Sequence, residues 1–124
     1  MPVRYLSSSV FMWPSRADVA KMLPAWASAA AAHHPELARL GCFGSFARDD
    51  WAVGSDLDLV AVVDSSDKPF ERRAVEWDLN GLPVPAELLV YTREEWDRME
   101  RQGGRFAATL ARETIWVYCR PEKT

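Results

Sequence analysis

The stretch that decides the fold runs Gly44-Ser45-Phe46-Ala47-Arg48 and then, with nine residues between Ser45 and Ser55, continues as Ser55-Asp56-Leu57-Asp58-Leu59. Ahead of it, Leu37 to Phe43 is a short apolar segment around Leu40, Cys42 and Phe43 that stops abruptly at Gly44-Ser45. A strand that ends in Gly-Ser and leads into a helical turn presents backbone N–H groups that nothing in the chain satisfies. Glycine there lets a phosphate approach the main chain closely, and the Ser45 hydroxyl adds a donor. The plain alternative is an ordinary turn. Leu57 to Val63, a run of Leu and Val broken only by Asp58, Ala61 apart, reads as a central strand buried on both faces. Asp56 and Asp58, at i and i+2 on such a strand, project to one face about 6–7 Å apart. So close a pair repels unless a cation lies between, and hard oxygen ligands of this kind suit Mg²⁺ or Mn²⁺. The competing reading has Asp56 capping an acidic turn and Asp58 solvated.

A third carboxylate is then to be sought on a neighbouring strand. Glu87 lies in Val84-Pro85-Ala86-Glu87-Leu88-Leu89-Val90-Tyr91, an acid among strand-forming apolar residues. An ionised carboxylate buried without a partner costs several kcal/mol or takes up a proton, and a shared metal relieves that cost. Alternatively Glu87 faces outward on an edge strand, which Pro83 and Pro85 favour.

Further out, Ser15 reads as the N-cap of a helix to about His33, with Asp18 forming an imperfect capping box. Val19, Met22, Leu23, Trp26 and Ala30 fall near helical spacing, so one face should pack on a sheet. Pro24 should kink or interrupt this helix, and Pro35 ends the segment. Tyr5 to Trp13 reads as a short edge strand or an extended lead-in. Phe70 to Leu79 is ambiguous between helix and strand, and Asn80-Gly81 signals a turn. Thr92 with Glu95 makes a capping box for a helix to about Gln102. Gly103-Gly104 breaks it, Arg105 to Arg112 resumes it, and Thr114 to Tyr118 closes as a strand. The expected architecture is α+β (mixed α/β): a mixed sheet of about four to five strands flanked by helices.

The 124 residues, 48% hydrophobic and 27% charged, are those of one globular domain, 1–124, and not of a disordered tail or a membrane protein. No apolar run approaches the roughly 18 residues of a membrane helix. The amino end lacks a secretory signal, so Cys42 and Cys119 are expected as buried thiols in a reducing cytoplasm. A net charge of −3 without a basic run argues against direct nucleic-acid binding. Between Asp49 and Glu87 there are 10 acids and 3 bases, a local balance of −7, against 8 acids and 12 bases elsewhere. Such a concentration is either a solvated acidic face or a site that needs cations.

Taken together, Gly44-Ser45, the fixed interval, Asp56-Leu57-Asp58 and an acid in an apolar strand resemble the nucleotidyltransferase superfamily of DNA polymerase β. Within it the chain is most similar to the minimal nucleotidyltransferase branch, which also resembles kanamycin nucleotidyltransferase. The resemblance extends roughly from Val19 to Tyr118. It implies that Asp56 and Asp58 are the paired metal-binding aspartates, and that Glu87 is the third acid, helping to deprotonate an acceptor hydroxyl. Gly44 and Ser45 would hold the β- and γ-phosphates, with Ser55 and Arg48 assisting. The implied reaction is attack of a hydroxyl on the α-phosphorus of a nucleoside triphosphate such as ATP, releasing pyrophosphate, with two Mg²⁺ or Mn²⁺ ions offsetting developing charge. Three departures stand out. Asp49 replaces the glycine usual after the arginine, which asks Asp to take positive φ. Glu87 is one methylene longer than the common Asp, and no extra domain is available to bind the acceptor. Small stand-alone members resemble antitoxins whose partner is a helical HEPN-type RNase toxin, silenced by binding or by AMP transfer to a tyrosine. The rival function is therefore a non-catalytic module that neutralises a toxin by contact alone.

Other residues stay open at this level. Adjacent His33 and His34 point apart and make a poor ligand pair; a favourable interaction with the helix dipole suits them better. Trp51 either stacks on a base or packs. Some of the six tryptophans fit an apolar interface with a partner or a second copy. Arg72 and Arg73 either reach phosphate or balance neighbouring acids.

Overall fold

The computed structural model describes residues 3–4 and 11–121. Two short strands, β1 (Val3–Arg4) and β2 (Phe11–Met12), pair antiparallel, with Val3 opposite Met12. The lead-in expected over residues 5–13 lies largely outside the described residues. Helix α1 (Arg16–His33) opens on the Ser15 cap: Ser15 Oγ accepts from the Asp18 amide at 3.1 Å and the Asp18 carboxylate accepts from the Ser15 amide at 3.0 Å. Pro24 does not interrupt α1. Both Pro24 and Ala20, whose carbonyl loses its usual partner there, are exposed, so water can serve that oxygen.

Four longer segments form the main sheet: β3 (Leu37–Phe43), β4 (Leu57–Val63), β5 (Ala86–Thr92) and β6 (Ile115–Cys119), in the order β5-β4-β3-β6. β4 runs parallel to β5 and antiparallel to β3, and β6 is antiparallel to β3. The sheet is thus mixed and has four strands, with the Leu/Val-rich β4 inside it as its composition requires. Side chains alternate across it. Leu57, Leu59, Ala61 and Val63 join Val19, Leu23 and Ala27 of α1 in the larger core. Val60 and Val62 meet Trp96 of α4 (Arg93–Gln102) and Leu110 of α5 (Arg105–Glu113) on the other face. Every position of β4 is buried except Asp58.

The ambiguous segment after β4 is neither a long helix nor a strand. It is a single turn, α2 being the similar turn at Gly44–Ala47 and α3 this one, Phe70–Arg73, followed by a 3-10 turn over Ala74–Glu76. Arg73 explains it. Only 8% exposed, its guanidinium donates to Lys68 O at 2.9 Å, to Val90 O on the outer edge of β5 at 3.1 Å, and bidentately to Glu95 at 2.6 and 3.1 Å. Arg73 therefore balances an acid and closes a sheet edge. α4 begins with the expected Thr92/Glu95 box, and Gly103 and Gly104, both at positive φ, separate it from α5. Of the two cysteines expected to be buried, Cys42 is, and burial pushes its thiol up to about 11, whereas Cys119 is exposed at the end of the edge strand β6. No helix among the described residues is long and apolar enough to cross a membrane.

Candidate active site

At the junction of β3 and α2, Gly44 adopts φ 73°. A Cβ built there would run into the Asp58 carboxylate, lying 3.1 Å from its Cγ. Gly44 is thus required twice, by its backbone conformation and by the carboxylate packed against it. No side chain caps the first turn of α2, whose N-cap is Phe43. Ser45 sits partly buried at that turn, its carbonyl accepting from the Asp50 amide at 2.8 Å.

Register brings the acids together. Phe43, Asp58 and Glu87 are level across β3, β4 and β5. Paired residues of adjacent strands point to the same face, with backbones about 4.8 Å apart. Glu87 thus stands beside Asp58 on the α4/α5 face, on an edge strand and exposed rather than buried. Both readings of Glu87 meet here: it faces outward, and it faces outward next to Asp58. Asp56 is exposed and lies just before β4, not in it, so the strict strand spacing of the pair does not hold. Burial is the main reason the Asp58 carboxyl is held above its ordinary value, and the charges of Glu87 and then Asp56 push the same way, while Arg48 opposes them.

Among the described residues no group of three or more His, Cys, Asp or Glu side chains is gathered closely enough to hold a metal ion as it stands. The donor set nevertheless fits a hard divalent cation. One partly buried carboxylate is flanked by two exposed ones free to turn toward it, and their mutual repulsion is what such a cation would relieve.

The supporting loop is tightly held. Asp49 takes φ 61°, alone among the described non-glycine residues in having positive φ. Arg16 reaches over from α1: its Nε donates to Phe46 O at 2.8 Å, its guanidinium lies 4.5 Å from the centre of the Phe46 ring, and Asp49 is 3.5 Å away. Trp51 packs edge-on against Phe46 and donates to Pro14 O at 3.0 Å, so it braces the loop. Ser55 Oγ accepts from the Ala52 amide at 3.0 Å, closing the turn that delivers Asp56. Arg48 lies 3.3 Å from Glu113 at the end of α5. Arg16 and Glu113 carry no sequence signal, since their partners lie 30 or more residues away. Of the histidines, His33 Nδ1 is 3.0 Å from Ala29 O, and His34 stacks on Trp77 at 3.8 Å; neither approaches a ligand role.

Residues 27–117 match the family model of the nucleotidyltransferase domain, and the chain belongs to that family. Its fold is shared with a presumed nucleotidyltransferase of Sulfolobus solfataricus of known crystal structure, at a TM-score of 0.62, 19% identity, and coverage of 85% of this chain and 84% of that one. A comparison with curated proteins finds none that matches.

Proposed function

We propose that the chain transfers a nucleoside monophosphate, AMP from ATP being the expected case, to a hydroxyl of a protein or small molecule in a reaction dependent on Mg²⁺ or Mn²⁺. The observation that carries this reading is the seating of the Asp58 carboxylate against Gly44, level with Glu87 and beside the uncapped Ser45 turn. Asp56, Asp58 and Glu87 would hold the metal, which when bound supplies neutralising charge to the triphosphate. The amides at Gly44 and Ser45 would receive the β- and γ-phosphates, with Arg48 and Ser55 assisting. Glu87, exposed on the open side, is the group to accept the proton of the incoming hydroxyl. Asp56 and Glu87 both face solvent, and a second protein supplying the acceptor would cover them. A helical HEPN-type toxin modified on a tyrosine fits that part, as the resemblance to minimal nucleotidyltransferase antitoxins suggests.

One observation favours the rival, a module that neutralises such a toxin without chemistry: the three carboxylates do not converge unaided. Incubation with α-labelled ATP, Mg²⁺ and the partner, followed by mass analysis of both chains, separates the two. Transfer of label that is lost in Asp58→Asn supports the enzyme. Neutralisation without label, retained in Asp58→Asn, supports the module.

A further inference from the structure

A second charged cleft lies at the far end of the sheet, about 13 Å along β4 from Asp58 by strand rise. It has a volume of about 1120 Å³, and Arg39, Arg93, Arg120 and Asp97 line it. Arg120 is committed: both Nη atoms lie 2.8 Å from the Asp64 carboxylate, and Nη1 also reaches Pro35 O at 3.2 Å. Arg93 shares the same Asp64 at 3.3 Å. These hydrogen bonds and charges hold Asp64 down at about 2, so it stays ionised, and both its oxygens are engaged.

Arg39 is different. Its guanidinium lies 4.4 Å from the centre of the Trp116 ring and 5.5 Å from that of Trp96, partly buried, and it has no carboxylate partner among the described residues. Stacking on indole faces offsets part of the cost of removing a cation from water. It leaves the in-plane N–H donors, the edge that recognises carboxylate and phosphate, unused. Arg93, three residues before Trp96, lies on the same side of α4 as this stack. Asp97 is the acid that counters them inside the cleft, against three guanidinium groups of which Asp64 satisfies one fully.

We propose that this cleft binds a small ligand bearing two or more phosphate or carboxylate groups, one seated on the edge of Arg39 and another on Arg93. The cleft is far larger than a single phosphate, and its two incompletely neutralised guanidinium groups stand on different elements. The proposal is independent of transfer chemistry at the carboxylates.

The test titrates the full chain, in metal-free buffer at constant ionic strength, with tripolyphosphate in one arm and citrate in the other. Binding is read by calorimetry and by the fluorescence of the tryptophans beside Arg39. Saturable binding of one equivalent is expected, weakened about tenfold or more by Arg39→Met and unchanged by Ser45→Ala, which alters the other anion site. Binding of tripolyphosphate alone identifies a phosphorylated ligand, of citrate alone a polycarboxylate, and of both a site read by charge. If Arg39→Met does not fold, Arg93→Gln decides in the same way. No saturable binding in either arm, or wild-type affinity in the folded Arg variant, overturns the proposal.

Discussion

Two single positions carry opposed demands of stability and function. At Asp49, φ 61° costs a residue with a Cβ about 1–2 kcal/mol, less for Asp, whose short polar side chain bonds locally. Asp49→Ala loses that accommodation and the Arg16 contact at 3.5 Å, and is expected to destabilise by about 1 kcal/mol. Asp49→Gly relieves the strain but adds freedom to the unfolded chain, so its unfolding free energy from urea titration should stay within about 0.5 kcal/mol of the wild type. A larger loss with Gly than with Ala would mean that the side chain, not the backbone, is what matters. Asp58 is the converse case. A carboxyl whose folded value is raised above 3.8 favours the native state when protonated and penalises it when ionised. Metal-free Asp58→Asn should therefore melt above the wild type at pH 7, the gap closing as pH falls through the raised folded value and vanishing below 3.8, where both states of the wild type are protonated. Melting curves from pH 7 to 4 check this, and a gap that widens on acidification would reverse the assignment.

Among the elements, β3 and β4 were legible to the residue because both are framed by Gly, Pro or acidic turns and buried along their length. The boxes at Ser15 and Thr92 were legible because capping is local, each contact spanning three residues. What sequence could not reveal is long-range: that Glu87 pairs in register with Asp58, and that α3 exists at all. The latter is a four-residue turn without periodicity, held by one arginine that ties a loop, a strand edge and the cap of α4. Arg73→Met keeps the apolar stem but strands the Val90 carbonyl and the Glu95 carboxylate. Breaking a buried ion pair costs 3–5 kcal/mol, and because the Glu95 side chain is 31% exposed and can be rehydrated, about 2–3 kcal/mol is expected here. Urea unfolding with an unchanged slope would read it directly. A loss below about 0.5 kcal/mol would show the edge to be held by apolar packing alone.

Across the whole molecule, the excess of acids between Asp49 and Glu87 makes ligand binding and folding one problem. Ten acids against three bases repel a triphosphate as well as each other, so nucleotide alone should bind poorly, and the cation should be needed for reasons of charge before any chemistry occurs. A ligand that binds only the native state stabilises it by about 2.7 kcal/mol at one hundred times its dissociation constant. For a chain of 124 residues that amounts to a rise in melting temperature on the order of 10 °C. The expected order is ATP with Mg²⁺ far above ATP alone or Mg²⁺ alone, reversed by a chelator and absent in Asp58→Asn. Gly44→Ala should abolish the gain by a different route, because its Cβ displaces the Asp58 carboxylate and its φ of 73° is strained. Differential scanning fluorimetry of the three proteins with each addition distinguishes the cases. An equal shift from ATP with and without Mg²⁺ would place the nucleotide away from the carboxylates, and the arginine-lined cleft at the far end of the sheet, which needs no metal, would then be where to find it.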